Sequence, residues 1–163
     1  MRKFDLTGST GTIEDPMAFI REVQAELGKE ALCLDADLVC GREHIDSAVM
    51  HAERAFNYGT NASDSFAMEV MLYASGERQL SKAMAKMGLK KGPARIAIVS
   101  FDGEVTPEML GKWGLKADPH AISFSVAKAG HFGIGQKEAD SVPPEKLQDL
   151  VLERVAFVDV NKR

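Results

Sequence analysis

Asp35 and Asp37 are the residues of this chain best spaced for acid–base chemistry, because alternate residues of a strand share one face and two carboxylates can divide proton donation and acceptance. Nothing else completes such a site at a motif spacing, and aspartates at a turn are the commoner occurrence. Cys33, Cys40, His44 and His51 supply two thiols and two imidazoles, a donor set that suits zinc. Their spacing lacks the close C-x2-C and H-x3-H pairs that bring ligands together, so buried strand cysteines and exposed helix histidines are the plainer expectation. Gly8-Ser9-Thr10-Gly11 has the composition of a phosphate loop without its Gly-Lys-Ser/Thr ending, and reads as a turn. The chain has no Gly-x-Ser-x-Gly, His-Glu-x-x-His or Asp-Phe-Gly, and Gly130 to Gly135 does not follow the dinucleotide fingerprint. The residues therefore signal no enzyme, no metal and no cofactor.

Charge is more informative. The chain carries a formal net charge of −4, yet Ser75 to Arg95 holds Arg78, Lys82, Lys86, Lys90, Lys91 and Arg95 against the single acid Glu77. That is +5 locally, which leaves −9 for the remainder. One basic patch thus stands out on an acidic protein. Arg78, Lys82 and Lys86 follow one another at helical steps of four and form a ridge beside Ser75, Gly76 and Gln79. Such a ridge is either a solvated face or a seat for phosphates, and composition alone favours the former.

The elements that hold this ridge are legible from periodicity. Ile45, Val49, Ala52 and Phe56 predict a helix from about 43 to 57 with Gly59 as its stop. A polar corner through Asn61 leads to Ser63 or Asp64 as the cap of a helix over 64–74, apolar nearly all round except at Glu69 and hence buried on most sides. Gly76 then opens a helix from 77 to 87 that Gly88 closes. Around this segment, Arg2 to Thr7 suggests an edge strand, Asp15-Pro16 caps a helix ending at Gly28, and Ala31 to Cys40 suggests a strand with a bend or a tight strand pair. Ile96 to Phe101 reads as a buried strand, and Thr106-Pro107 starts a helix ending at Gly114. The pattern over 122–131 suits strand and helix alike, with helix preferred.

Pro143-Pro144 opens a last helix with more apolar positions than one stripe needs. That surplus can bury in the domain's own core or equally serve a partner, in which case Leu147, Leu150 and Val151, with Arg154 beside them, are the candidates for the docking face. With 163 residues, 45% hydrophobic and 27% charged, the chain suits one soluble domain over 1–163. No stretch approaches the roughly 18 to 20 apolar residues of a membrane span. Cytoplasm is the expected compartment, without membrane attachment.

Several of these residues carry a resemblance. Asp35-Ala36-Asp37, Gly41-Arg42-Glu43-His44, Ala52-x-x-Ala55-Phe56, Gly59-Thr60-Asn61, Ser63, Ser65, Glu69 and Leu72-Tyr73-Ala74-Ser75-Gly76-Glu77-Arg78-Gln79 resemble the kinase-binding subunit of the KEOPS complex, the PRPK-binding protein or TPRKB-like family, in its archaeal form. Leu152 to Ala156 and Asp159-Val160 extend the likeness to the end of the chain. The resemblance implies an α/β (α+β) single domain, a small mixed β-sheet packed with a helical bundle, and a non-catalytic regulatory subunit. It implies two partners within KEOPS, the small PRPK-like kinase/ATPase subunit and the 3′ CCA end of tRNA, while neighbouring subunits install threonylcarbamoyladenosine at position 37. Asn61, Ser75, Gly76, Arg78, Gln79, Lys82 and Lys86 are then the expected RNA-binding residues. A pure regulator of the kinase, with no RNA contact, is the alternative. Asp64 and Phe66-Ala67 depart from the family pattern, and are assigned to capping and to core repacking.

Overall fold

Capping residues set the element boundaries. The computed structural model describes residues 2–161. In chain order the elements are β1 (Asp5–Ile13), α1 (Pro16–Leu27), β2 (Leu32–Asp35), α2 (Arg42–Tyr58), α3 (Phe66–Ser75), α4 (Leu80–Met87), β3 (Gly92–Ser100), α5 (Pro107–Lys112), β4 (Lys116–Ala117), α6 (Val126–Ala129), α7 (Gln136–Asp140) and α8 (Leu147–Asn161). Asp15 accepts from the Ala18 N–H at the start of α1, and Thr106 does the same for Met109 in α5. Both caps follow the sequence reading. For α3 the cap is Ser65 rather than Ser63 or Asp64, with Ser65 Oγ accepting from the Met68 N–H. Glu30 reaches in beside it and accepts from the Ala67 N–H at 2.7 Å. Asp64 is left exposed.

The four strands lie in the order β2-β3-β1-β4. Every pairing recorded among them is antiparallel, so the α+β fold agrees with expectation while the sheet is not mixed. One face packs Phe19 and Val23 of α1 and Trp113, next to α5, against Ile96 and Ile98. The other packs Ile45 and Val49 of α2 and Val70 and Leu72 of α3 against Leu34, Ala97 and Val99. A third cluster joins Cys40, Ala129, Phe132, Ile134, Leu147 and Val151 under α6 to α8. No helix among the described residues is long and apolar enough to cross a membrane.

Three expectations need correction. Gly8 to Gly11 is not a turn after an edge strand but the middle of β1, which is flanked by both β3 and β4. The glycines serve close approach: a Cβ on Gly8 would stand 2.4 Å from the Asp118 carbonyl oxygen, and one on Gly11 would stand 2.5 Å from Leu115 Cδ2. The helix expected from 77 begins only at Leu80, so Gly76 to Gln79 is a connecting loop. His44 and His51 are buried, not exposed, because each has found a polar partner inside. The ambiguous stretch at 122–131 resolves into short helical pieces, α6 among them. They are anchored by the buried Lys128, whose Nζ donates to the Val39 and Ala121 carbonyls at 2.7 Å each.

Candidate functional site

A helix with nine of its ten residues buried cannot leave its last carbonyls to water. At the C-terminal end of α3 each of them has a partner. Ser75 Oγ donates to the Leu72 carbonyl at 2.8 Å, and the Gly76 N–H donates to that of Tyr73 at 3.1 Å from a left-handed glycine at φ 71°. His44 Nε2 bonds the Ala74 carbonyl at 2.8 Å, and Lys86 Nζ donates to that of Ser75 at 2.7 Å. Because a carbonyl only accepts, His44 carries its proton on Nε2, which leaves Nδ1 to accept the Cys40 N–H at 3.0 Å. Burial holds this imidazole neutral, down at about 4, with the positive charges of Lys86 and Lys128 acting in the same direction. The Phe132 ring lies edge-on to His44, centroids 5.2 Å apart, and 4.6 Å from Lys86 Nζ.

Around this capped end the surface is concave. A hollow of about 350 Å³ is lined by Gly76, Lys86, Phe132, Arg154 and Phe157. A wider one of about 660 Å³ runs on past Lys82 and Lys90. The two share Glu77, Lys86 and His131, so they form one groove. Arg78, Gln79, Lys82, Lys90 and His131 are exposed beside or within it, and Phe157 shows 47% of its surface. Cations next to an exposed ring and an imidazole can hold phosphates and stack flat groups.

The model of the family described as "Kinase binding protein CGI-121" matches residues 15–159. The chain belongs to that family. A search of curated proteins returned no match.

For a CGI-121 protein the placement of the expected site residues is uneven. Gly76 and Lys82 line the groove, and Arg78 and Gln79 are exposed in the loop between them. Ser75 does not face it freely, because its side chain is buried and its hydroxyl also accepts the Glu77 N–H at 3.1 Å. Lys86 lines the groove, but its ammonium is taken up by the Ser75 carbonyl and lies 3.8 Å from Glu77. Burial lowers its pKa. Asn61 stands at the other end of α3, about 15 Å away by helix rise, where its amide donates to the Ser63 carbonyl. The ridge is also broken: Arg78 lies in the loop, off the helical line of Lys82 and Lys86.

The docking residues expected on α8 shift as well. Leu147 and Val151 are buried in the third cluster and Leu150 packs against it, so the apolar surplus of α8 serves the chain's own core. Arg154 is paired with Glu138 at 2.6 Å while lining the groove. Val155 and Val158 continue the buried stripe. The apolar side chains that α8 and α2 do expose are Phe157 and Val160, and Met50 and Tyr58. These two helices are tied to α3 through Asp159, which pairs with His51 at 3.0 Å and accepts the Tyr73 hydroxyl. The His51 ring stacks on that of Tyr73.

His131 and Phe157 were missed in the sequence, and Lys90 was read only as part of the basic patch. The exposed rings sit on two segments that no periodicity links, and only the turn Gly130-His131-Phe132-Gly133 gave a signal. Asp35 and Asp37 have partners within the fold: Asp35 accepts the Asp37 N–H at 3.0 Å, and Asp37 pairs with Arg95 at 2.5 Å. Cys33 and Cys40 belong to different clusters, and burial raises both thiols to about 12.

Two outcomes follow from the cap. Lys86→Ala should lower unfolding free energy in urea by about 1 to 3 kcal/mol, since it strands a carbonyl and removes a charged donor, whereas Lys82→Ala should stay within about 0.5 kcal/mol. His44 has its folded pKa depressed, so its contribution is complete above the unfolded value near 6.5 and is lost as pH falls toward 4. Imidazole NMR should show the Nε2–H tautomer persisting to about pH 4 in the folded protein.

Proposed function

We propose that this CGI-121 protein is the non-catalytic KEOPS subunit that binds the kinase/ATPase subunit and holds the 3′ CCA end of tRNA, supporting threonylcarbamoyladenosine formation at position 37. The observation that carries the RNA half is the groove at the end of α3. There Lys82 and Lys90 line the wall and Arg78 is exposed in the adjoining loop, on a chain of net charge −4, and His131 and Phe157 add flat rings. Single-stranded RNA ends are held by that combination of backbone cations and stacking faces. No cofactor is required, because binding and positioning are the whole task.

The kinase half rests on the family. For its surface the outer stripe of α2, Met50, Arg54 and Tyr58 at steps of four, is the best candidate, with Val160 of α8 beyond the His51–Asp159 contact. This replaces Leu147, Leu150 and Val151. Lys86 favours the alternative of a regulator without RNA contact, because its charge is already committed to a helix end. Arg78, Lys82 and Lys90 outweigh it.

An electrophoretic shift with intact tRNA and with tRNA lacking its CCA end separates the two. The proposal predicts a shift that needs the CCA end. Arg78→Glu with Lys82→Glu should weaken it and flatten the slope of log K against log salt by about 1.4, two contacts at about 0.7 each, while leaving co-purification with the kinase intact. Equal binding of both RNAs, or of the mutant and the parent protein, would falsify the RNA assignment.

A further inference from the structure

Beyond β2 the sheet continues with one face uncovered, the other being packed through Ile13 and Ala94. β1 and β3 pair over nine residues, but β2 meets β3 only from Leu32 to Asp35, so residues 92–95 have β1 as their one strand neighbour among the described residues and residues 11–13 with 92–94 form a two-stranded overhang. Thr10 pairs with Arg95 on one side and with Lys116 on the other. Residues directly opposite one another project from the same face, so cation, hydroxyl and cation form a row at about 5 Å per strand. Further along the same face Ala97 and Val99 enter the core under α2 and α3, whereas Thr12, Arg95 and Lys116 are exposed. Lys90 and Lys91, in the link between α4 and β3, complete a trough of about 570 Å³ there.

This trough is continuous with the groove, since Lys90 and Asp35 line both. Its chemistry differs. It has no aromatic ring in its lining, only hydroxyls, aliphatic carbons and charges. Lys90, Lys91 and Arg95 line it with Asp35 and Asp37, of which Asp37 is paired with Arg95 and Asp35 accepts the Asp37 N–H, and Lys116 extends the row beyond that lining.

Resting on the reading of the groove as the seat of a single-stranded 3′ end, we infer that this shelf carries the sugar–phosphate backbone of the base-paired stem from which that end emerges. A groove with rings takes unstacked bases, and a ringless shelf of cations and hydroxyls takes phosphates and 2′-hydroxyls, the groups by which duplex RNA is recognised through shape. An acidic protein segment would meet the same charges without using the continuity with the groove.

Fluorescence anisotropy with the full chain and two RNAs tests this: a short single strand ending in CCA, and a hairpin bearing the same tail on a stem. The parent protein should bind the hairpin more tightly. Lys91→Gln and Lys116→Gln combined, with an unchanged melting temperature, should reduce hairpin affinity by about fivefold at low salt and lower its salt slope by about 0.9 per lost contact, while affinity for the single strand changes little. Equal losses for both RNAs, or an unaltered hairpin, would overturn the shelf while leaving the groove standing. Loss of kinase co-purification in its place would assign the shelf to protein. Failure of the parent protein to bind either RNA would remove the groove reading, and the shelf with it.

Discussion

The C-terminal end of a helix buried on nearly every side is the constraint on which this structure depends. α3 cannot turn its last carbonyls to solvent, and unpaired buried carbonyls cost about 1 to 3 kcal/mol each. Four partners from three segments meet the demand: Ser75 and Gly76 locally, His44 from α2 and Lys86 from α4. His44 must be neutral for this and Lys86 charged. Burial secures the first, and a carbonyl, a carboxylate and the Phe132 ring favour the second. α2, α4 and the turn at Gly130 to Gly133 are thereby drawn to one point.

That convergence also makes the groove. Once α4 is held by Lys86, the loop Gly76 to Gln79 is pushed to the surface with Arg78 and Gln79 outward. Phe132 fills the space beneath the cap, which leaves His131 exposed beside it. α8 closes the far wall, its buried stripe from Leu147 to Val158 turned inward and Phe157 turned out. The cation that caps the helix end is thus structural, and exposed ones surround it at Arg78, Lys82 and Lys90. Membership in a kinase-binding family assigns a protein partner, and the exposed stripe on α2 leaves room for one away from the groove.

Sequence made the local parts of this visible. Asp15-Pro16, Thr106-Pro107 and Gly59 marked helix ends because a cap is a property of a few adjacent residues. The all-apolar pattern of Phe66 to Ala74 announced the buried helix for the same reason. Whatever depended on distant partners stayed hidden. Gly8 and Gly11 looked like turn glycines because the Asp118 carbonyl and Leu115 that crowd them are about a hundred residues away. His44 looked like a surface histidine until Ala74 and Cys40 supplied both its hydrogen bonds. Leu147 and Val151 looked like surplus because the cluster that covers them comes from short helical pieces with weak periodicity. The basic patch was legible as composition, but which of its charges were free was decided by the cap.

The central claim is that the capped end of α3 builds the surface that holds an RNA 3′ end. Amide hydrogen exchange measured with and without a saturating single-stranded RNA ending in CCA tests it most directly. The account predicts added protection confined to Gly76–Gln79, the Lys82 turn of α4, Gly130–Gly133 and the part of α8 around Phe157. Protection centred instead on the Met50–Tyr58 stripe of α2, or no change at the groove under saturating RNA, would contradict it.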